Sequence, residues 1–140
     1  MTAQRVEKVL WTEQYAVGNE TIDQQHQGLF DTYNRLVEAT ATNAAGNEVE
    51  EVFAALVAYI ETHFSDEEVI WKKDDAIFQK QHRAHYSFVK MVMTESRKDS
   101  GNERVTADLL VFIRDWLVDH IVKQDSQDYQ TLQEKGAGVP

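Results

Sequence analysis

Residues 21–37 read TIDQQHQGLFDTYNRLV. Ile22, His26, Leu29, Phe30, Tyr33, Leu36 and Val37 recur at three- and four-residue spacing, the period of one helix face and not the two-residue alternation of a half-buried strand. Thr21 with Gln24 makes a capping-box start, and the run holds no proline. The stripe predicts an amphipathic helix, A, that turns a histidine inward among apolar neighbours.

The same pattern repeats along the chain, whose one proline is Pro140. Asn47 with Glu50 gives a second start, and Val49, Val52, Phe53, Leu56, Ile60, His63, Glu67 and Ile70 form the stripe of helix B, which should end near Lys73. Helix C carries Phe78, His85, Phe88, Val89 and Val92. The cluster Ser100, Gly101, Asn102 should end it and cap helix D, with Val105, Leu109, Phe112, Ile113, Trp116 and His120. Four amphipathic helices joined by three short connections predict an all-α, antiparallel up-down-up-down four-helix bundle. It should have an irregular N-terminal arm through about Asn19 and a short C-terminal helix or tail. No internal repeat is evident, and 140 residues fit a single domain. Glu134 to Pro140, with two glycines and the proline, reads as a loose tail or the start of a linker.

Composition narrows the function. With 24 acidic and 14 basic side chains the formal net charge is −10, which repels nucleic-acid phosphates and anionic lipid surfaces. The sequence shows neither a signal-peptide-like start nor an apolar run of membrane-spanning length, so the expectation is a soluble cytoplasmic protein with no nucleic-acid or membrane partner. There is no cysteine, which excludes disulfides, thiolate zinc, iron–sulfur clusters and cysteine nucleophiles.

The inward stripes contain side chains that a simple core would reject: His26 on A, His63 and Glu67 on B, His85 on C and His120 on D. Burying an imidazole without a partner costs a few kcal/mol, and an isolated carboxylate costs more. A metal ion would offset all of these at once. His63 and Glu67, four apart, project from one face. His120 and Asp125 are five apart, about 140° around an ideal helix, and can share a centre only if helix D loosens after His120, a break that Ser126 and Asp128 would suit. His82 and His85, three apart, share a face, with His82 at the stripe's edge. A single buried histidine is most simply a hydrogen-bonded core residue. The chain has only five histidines, however, and four fall on inward stripes of four different helices. Asp66 and Glu68 read as solvated neighbours of Glu67. The tryptophans and phenylalanines read as packing residues, some walling the pocket. Five histidines and two carboxylates exceed what one ion accepts and suit two ions bridged by the carboxylates. Imidazole donors select a transition metal without naming it.

The segments GNETIDQQHQGLF (18–30), HFSDEE (63–68), HRAHYSF (82–88) and WLVDHIVKQD (116–125) resemble those of the bacterial hemerythrins over nearly the whole chain. That resemblance implies a single hemerythrin-like domain with two iron ions, Fe2+/Fe3+, joined by an oxo or hydroxo bridge. It implies that His26 and His63 ligate one iron, that His120 ligates the other, and that Glu67 and Asp125 bridge them. The third segment departs from the pattern, which has two histidines four apart with an apolar residue three beyond the second. Taking His85 with Phe88 as the second histidine puts Gln81 at the first position and His82 one residue off. Counting from Glu67 instead puts His82 at the first position. The register around His85 is local, whereas the count from Glu67 crosses a loop of variable length. It makes His85 a ligand, and His82 either reaches in or leaves its coordination position to water.

The implied function is non-enzymatic: reversible binding of dioxygen, as a carrier or as the oxygen- or redox-sensing domain of a larger signalling protein with a covalently linked C-terminal output domain. The alternative is a di-iron oxidase, peroxidase or iron-handling protein. Ferritin-type enzymes of that kind carry Glu-x-x-His on two helices, and this chain has no such motif.

Overall fold

Residues 6–42, 48–97 and 105–136 are described by the computed structural model. Asn19, in extended backbone, accepts a hydrogen bond from the Ile22 amide through its side-chain oxygen (3.1 Å) and starts α1, Glu20–Ala41. The start expected at Thr21 therefore moves upstream. Asparagine holds the extended cap conformation and satisfies an amide that the helix leaves unpaired. Helix α2 spans Glu48–Trp71, and the expected cap at Asn47 lies outside the described residues. Asp74 caps α3, Asp75–Ser96, by accepting from the Ile77 amide at 3.1 Å. Thr106 does the same for α4, Ala107–Asp119, from the Leu109 amide at 3.1 Å. The Ser100, Gly101, Asn102 cluster lies outside the described residues. A π-helical turn, His120–Asp125, leads directly into α5, Ser126–Glu134.

Contacts run from α1 to α2, α2 to α3 and α3 to α4. The bundle closes from α1 to α4, where the buried Tyr33 hydroxyl donates to the Leu110 carbonyl at 2.9 Å. Sequential neighbours with short connections give the up-down-up-down order. At Gly28 on α1 the backbone meets Tyr59 of α2 so closely that a Cβ would lie 2.0 Å from the phenol oxygen, so glycine is what lets this side chain lie across the helix. The arm is tied down. Val9 is buried, and its backbone N–H and C=O pair with the Asn34 amide, each at 2.8 Å. Trp11 and Tyr15 pack on Phe30.

The core comes in two parts. The larger contains Leu29, Phe30, Tyr33, Leu36, Phe53, Leu56, Ile60, Phe64, Phe88, Val92, Ile113, Leu117 and Ile121. The smaller contains Ile22, Trp71, Ile77, Tyr129 and Leu132. On each helix the buried histidines, and with them Glu67, Gln81 and Asp125, fall between the two: His26 between Ile22 and Leu29, His63 and Glu67 between Ile60 and Trp71, Gln81 and His85 between Ile77 and Phe88, His120 and Asp125 between Leu117 and Tyr129. A polar layer is thus sealed between two apolar ones. Among the described residues no helix is long and apolar enough to cross a membrane.

Candidate metal centre

Each helix delivers its polar side chain by the register that buries its apolar stripe. His26, His63, Glu67 and Asp125 are all buried, and one potential ligand atom from each lies within 4.8 Å of the others. Asp125 joins them because the backbone after His120 is π-helical. That turn pairs residues five apart and so returns Asp125 to the face of His120. The loosening expected from the spacing takes this form.

The two carboxylates divide their oxygens. Glu67 Oε2 faces His26 Nε2 (3.5 Å) and His63 Nε2 (3.6 Å), and its Oε1 faces His85 Nε2 (3.5 Å). Asp125 Oδ2 faces His26 Nε2 (3.3 Å), and its Oδ1 faces His120 Nε2 (3.2 Å). Each carboxylate therefore spans from the His26 side to the His85/His120 side. Both ring nitrogens of His26, both oxygens of Glu67 and Nε2 of His85 are buried with no hydrogen-bond partner. Buried polar atoms are nearly always paired; of these orphans His26 Nε2, the two Glu67 oxygens and His85 Nε2 face one another from three helices, which is what a cation would complete. The donor set, imidazole with carboxylate, fits a transition metal.

The outer nitrogens are held. His63 Nδ1 is 2.6 Å from Gln25 Oε1, while Gln25 Nε2 donates to Asp66 Oδ2 at 3.0 Å. The amide is oriented by Asp66, so His63 donates through Nδ1 and turns its free Nε2 lone pair inward. His85 Nδ1 likewise meets Glu68 Oε2 at 2.8 Å. Phe64 stacks on His85 (centroids 3.7 Å, planes 2° apart) and Trp116 on His120 (4.4 Å, 11°), fixing the rings from the apolar side. Gln25, Glu68 and Asp66 were not legible as site residues. Asp66 and Glu68 instead orient the groups behind His63 and His85, and only their helix offset from those histidines could have signalled it.

Burial works against a charge on His26, but Asp125 and Glu67 beside it outweigh burial and raise it to about 9. His63 is lowered to about 4, chiefly by burial, with Glu67 offsetting only part. For Asp125 burial is overcome by His120 and His26, which hold it below the usual carboxylate range. Metal-free, the cluster thus keeps a proton on His26 and a ready lone pair on His63.

Six of the seven residues singled out from the sequence lie in the buried layer, and His82 does not. It is exposed, its Nδ1 on Glu68 Oε1 at 2.8 Å and its ring stacked on Phe78. The correction follows from register. Gln81, buried, points inward four residues before His85, and His82 is turned about 100° away.

Glu68→Ala should free the His85 ring and weaken metal affinity by about 10–100-fold. Competition against a chromogenic chelator measures it, and an unchanged affinity would remove Glu68 from the site.

Residues 17–132 match the family model described as the hemerythrin HHE cation binding domain. Bacteriohemerythrin of Methylococcus capsulatus is 33% identical over 105 residues, covering 74% of this chain and 79% of the relative. That of Stenotrophomonas maltophilia is 29% identical over 122 residues, 86% of this chain and 78% of the relative. A solved structure of wild-type hemerythrin is similar with a TM-score of 0.74 at 32% identity, covering 89% of this chain and 97% of the other. A hemerythrin mutant with one leucine changed to tyrosine gives 0.76 at 30%, covering 89% and 96%.

Proposed function

The chain belongs to the hemerythrin family, and from that premise we propose that it is a non-haem di-iron protein that binds dioxygen reversibly. The observation that carries the reading is the division of oxygens: Glu67 and Asp125 each face histidines on two sides. His26 and His63 would hold one iron, His85 and His120 the other, and the two carboxylates would bridge them. Bound there, the pair of irons supplies the two electrons that dioxygen accepts on binding and returns on leaving.

The chain's own residues do the rest. The apolar layers on either side exclude water, which favours binding over hydrolytic or proton-coupled side reactions. The Tyr129 hydroxyl is buried near Glu67 and Asp125, and burial first, then those carboxylates, push it far above the usual phenol range. It therefore keeps its proton and is a poor acid. Gln25 and Glu68 hold His63 and His85 in place, so loss and return of a ligand need no rearrangement of the rings. These features support binding over oxidase chemistry, as carrier or as sensor.

Iron analysis and the visible spectrum of the purified protein, before and after anaerobic reduction and re-exposure to air, test this. About two irons per chain are expected, with ferric bands that bleach on reduction and return in air. A colourless protein that cannot be reconstituted with ferrous iron would sink the reading.

Loading should also depend on pH. His26 must lose its proton to bind metal, and in the metal-free form it holds that proton to about pH 9. Apparent metal affinity should therefore rise about tenfold per pH unit above neutrality and level off beyond about pH 9. A flat profile between pH 7 and 9 would show that His26 does not have to be deprotonated.

A further inference from the structure

Gln81 is buried in the polar layer with both its amide nitrogen and its carbonyl oxygen engaged. Its Nε2 donates to Asp128 Oδ2 at 2.7 Å and to Asp125 Oδ1 at 3.2 Å, and its Oε1 lies 2.8 Å from His120 Nε2. This fixes which way the amide points. The reverse orientation would set the carbonyl oxygen against two carboxylates and the NH2 against the imidazole N–H. Asp128 is itself buried and anchored, with Lys80 Nζ on its Oδ1 at 2.8 Å. An acid at that place has no part in the bridging scheme, and it lies on the far side of the amide from His120.

The hydrogen on His120 Nε2 occupies the direction of the lone pair with which this histidine would bind a cation. A cation on that lone pair lies next to the Gln81 oxygen, which has only to swing off the Nε2 axis to become its neighbour on the ion. We propose that Gln81 is an oxygen ligand of the His85/His120 iron, a neutral carboxamide in place of a further imidazole, and that Asp128 is the positioning residue that aims it. The inference rests on the di-iron reading above and names the ligand that reading leaves out.

An amide oxygen is a harder and weaker donor to a divalent transition metal than imidazole. The two halves of the centre are therefore unequal, with two imidazoles on the His26/His63 side and two imidazoles plus an amide oxygen on the other. Gln81 gives the His85/His120 side one donor more, which holds the ion less tightly than a third imidazole would.

The test is an anaerobic titration of the metal-free full chain with Co2+, read by calorimetry and by the visible ligand-field bands, with circular dichroism of each metal-free variant as the check on folding. The wild-type chain should take up two equivalents in unequal steps. Gln81→His should tighten one of the two steps, that of the His85/His120 side, by roughly tenfold or more and move its bands to higher energy, because a nitrogen replaces an oxygen. Gln81→Leu should weaken that same step by roughly tenfold or more and leave the other unchanged. Asp128→Asn, which can turn an NH2 toward the amide, should weaken it by about tenfold. Two equivalents bound by Gln81→Leu as in wild type, or Gln81→His bands identical to wild type, would overturn the ligand assignment and leave the di-iron reading standing. No uptake of Co2+ by the wild-type chain would overturn both. If Gln81→Leu does not fold, Gln81→His and Asp128→Asn decide the matter.

Discussion

Replacing Glu67 by leucine is expected to strip the protein of iron and to leave its metal-free fold at least as stable as before. Glu67 is completely buried, and neither oxygen has a hydrogen-bond partner. Its neighbours are His26, His63 and His85, each about 3.5 Å away or slightly more. Among the described residues the carboxylate is the only group that faces both His26/His63 and His85, so iron content should fall from about two per chain to near none. Leucine fills a similar volume without a polar atom to satisfy. Removing one member of a buried ion pair costs about 3–5 kcal/mol when it strands the other charge, whereas replacing buried ionic groups without stranding one is often neutral or stabilising by about 1–4 kcal/mol. Asp125 remains to partner His26. Iron analysis and thermal melting of the metal-free protein measure the two effects. Retained iron would refute the bridging role, and a loss of more than about 1 kcal/mol would show that the metal-free network already satisfies Glu67.

Ile113→Ala should be the most damaging change away from the site. Ile113 is fully buried on α4, two turns before His120, in the larger apolar cluster. Truncation removes three methyl or methylene carbons and leaves a cavity that the surrounding rings fill only partly, a cost of about 2–5 kcal/mol. For a chain of this length that lowers Tm by on the order of 10 °C. The shift should be measured on metal-free protein, because bound metal adds stability by mass action and masks part of it. A loss below about 1 kcal/mol would mean that the packing around α4 relaxes fully.

The bundle was legible because burial imposes a period. Leu29, Phe30, Tyr33 and Leu36 on α1, or Leu56 and Ile60 on α2, have one face to turn inward, and the spacing states which. The inward histidines were legible for the opposite reason, as polar residues in apolar stripes. The helix starts were less so. Asn19 and Thr21 are both competent caps, and only the extended backbone at Asn19 decides between them. Gln25, Glu68 and Asp128 gave no sign of a place at the site, since polar residues on a helix flank look the same whether they face water or the back of an imidazole. In the third segment both registers could be written from spacing. What separates Gln81 from His82 is α3's packing, which puts the amide in the core and the imidazole outside.

The π turn at His120–Asp125 also governs which changes of chain length the protein can absorb. Each residue added to or taken from a helix rotates everything after it by about 100°. A one-residue deletion between His120 and Asp125 would leave the aspartate four residues after the histidine, and a regular α-helix presents such a pair on one face. Straightening the turn with its residue count kept would instead swing Asp125, Asp128, Tyr129 and Leu132, all now buried, around the axis and out of the interior. The acid on the metal layer and the apolar floor beneath it would leave together. Substitutions at the outward-facing Val122 and Lys123 are cheap. In the evolutionary record of this segment, a single deletion that turns the π turn into a regular one should be the one change of length admitted, and insertions should be excluded even where the side chains drift.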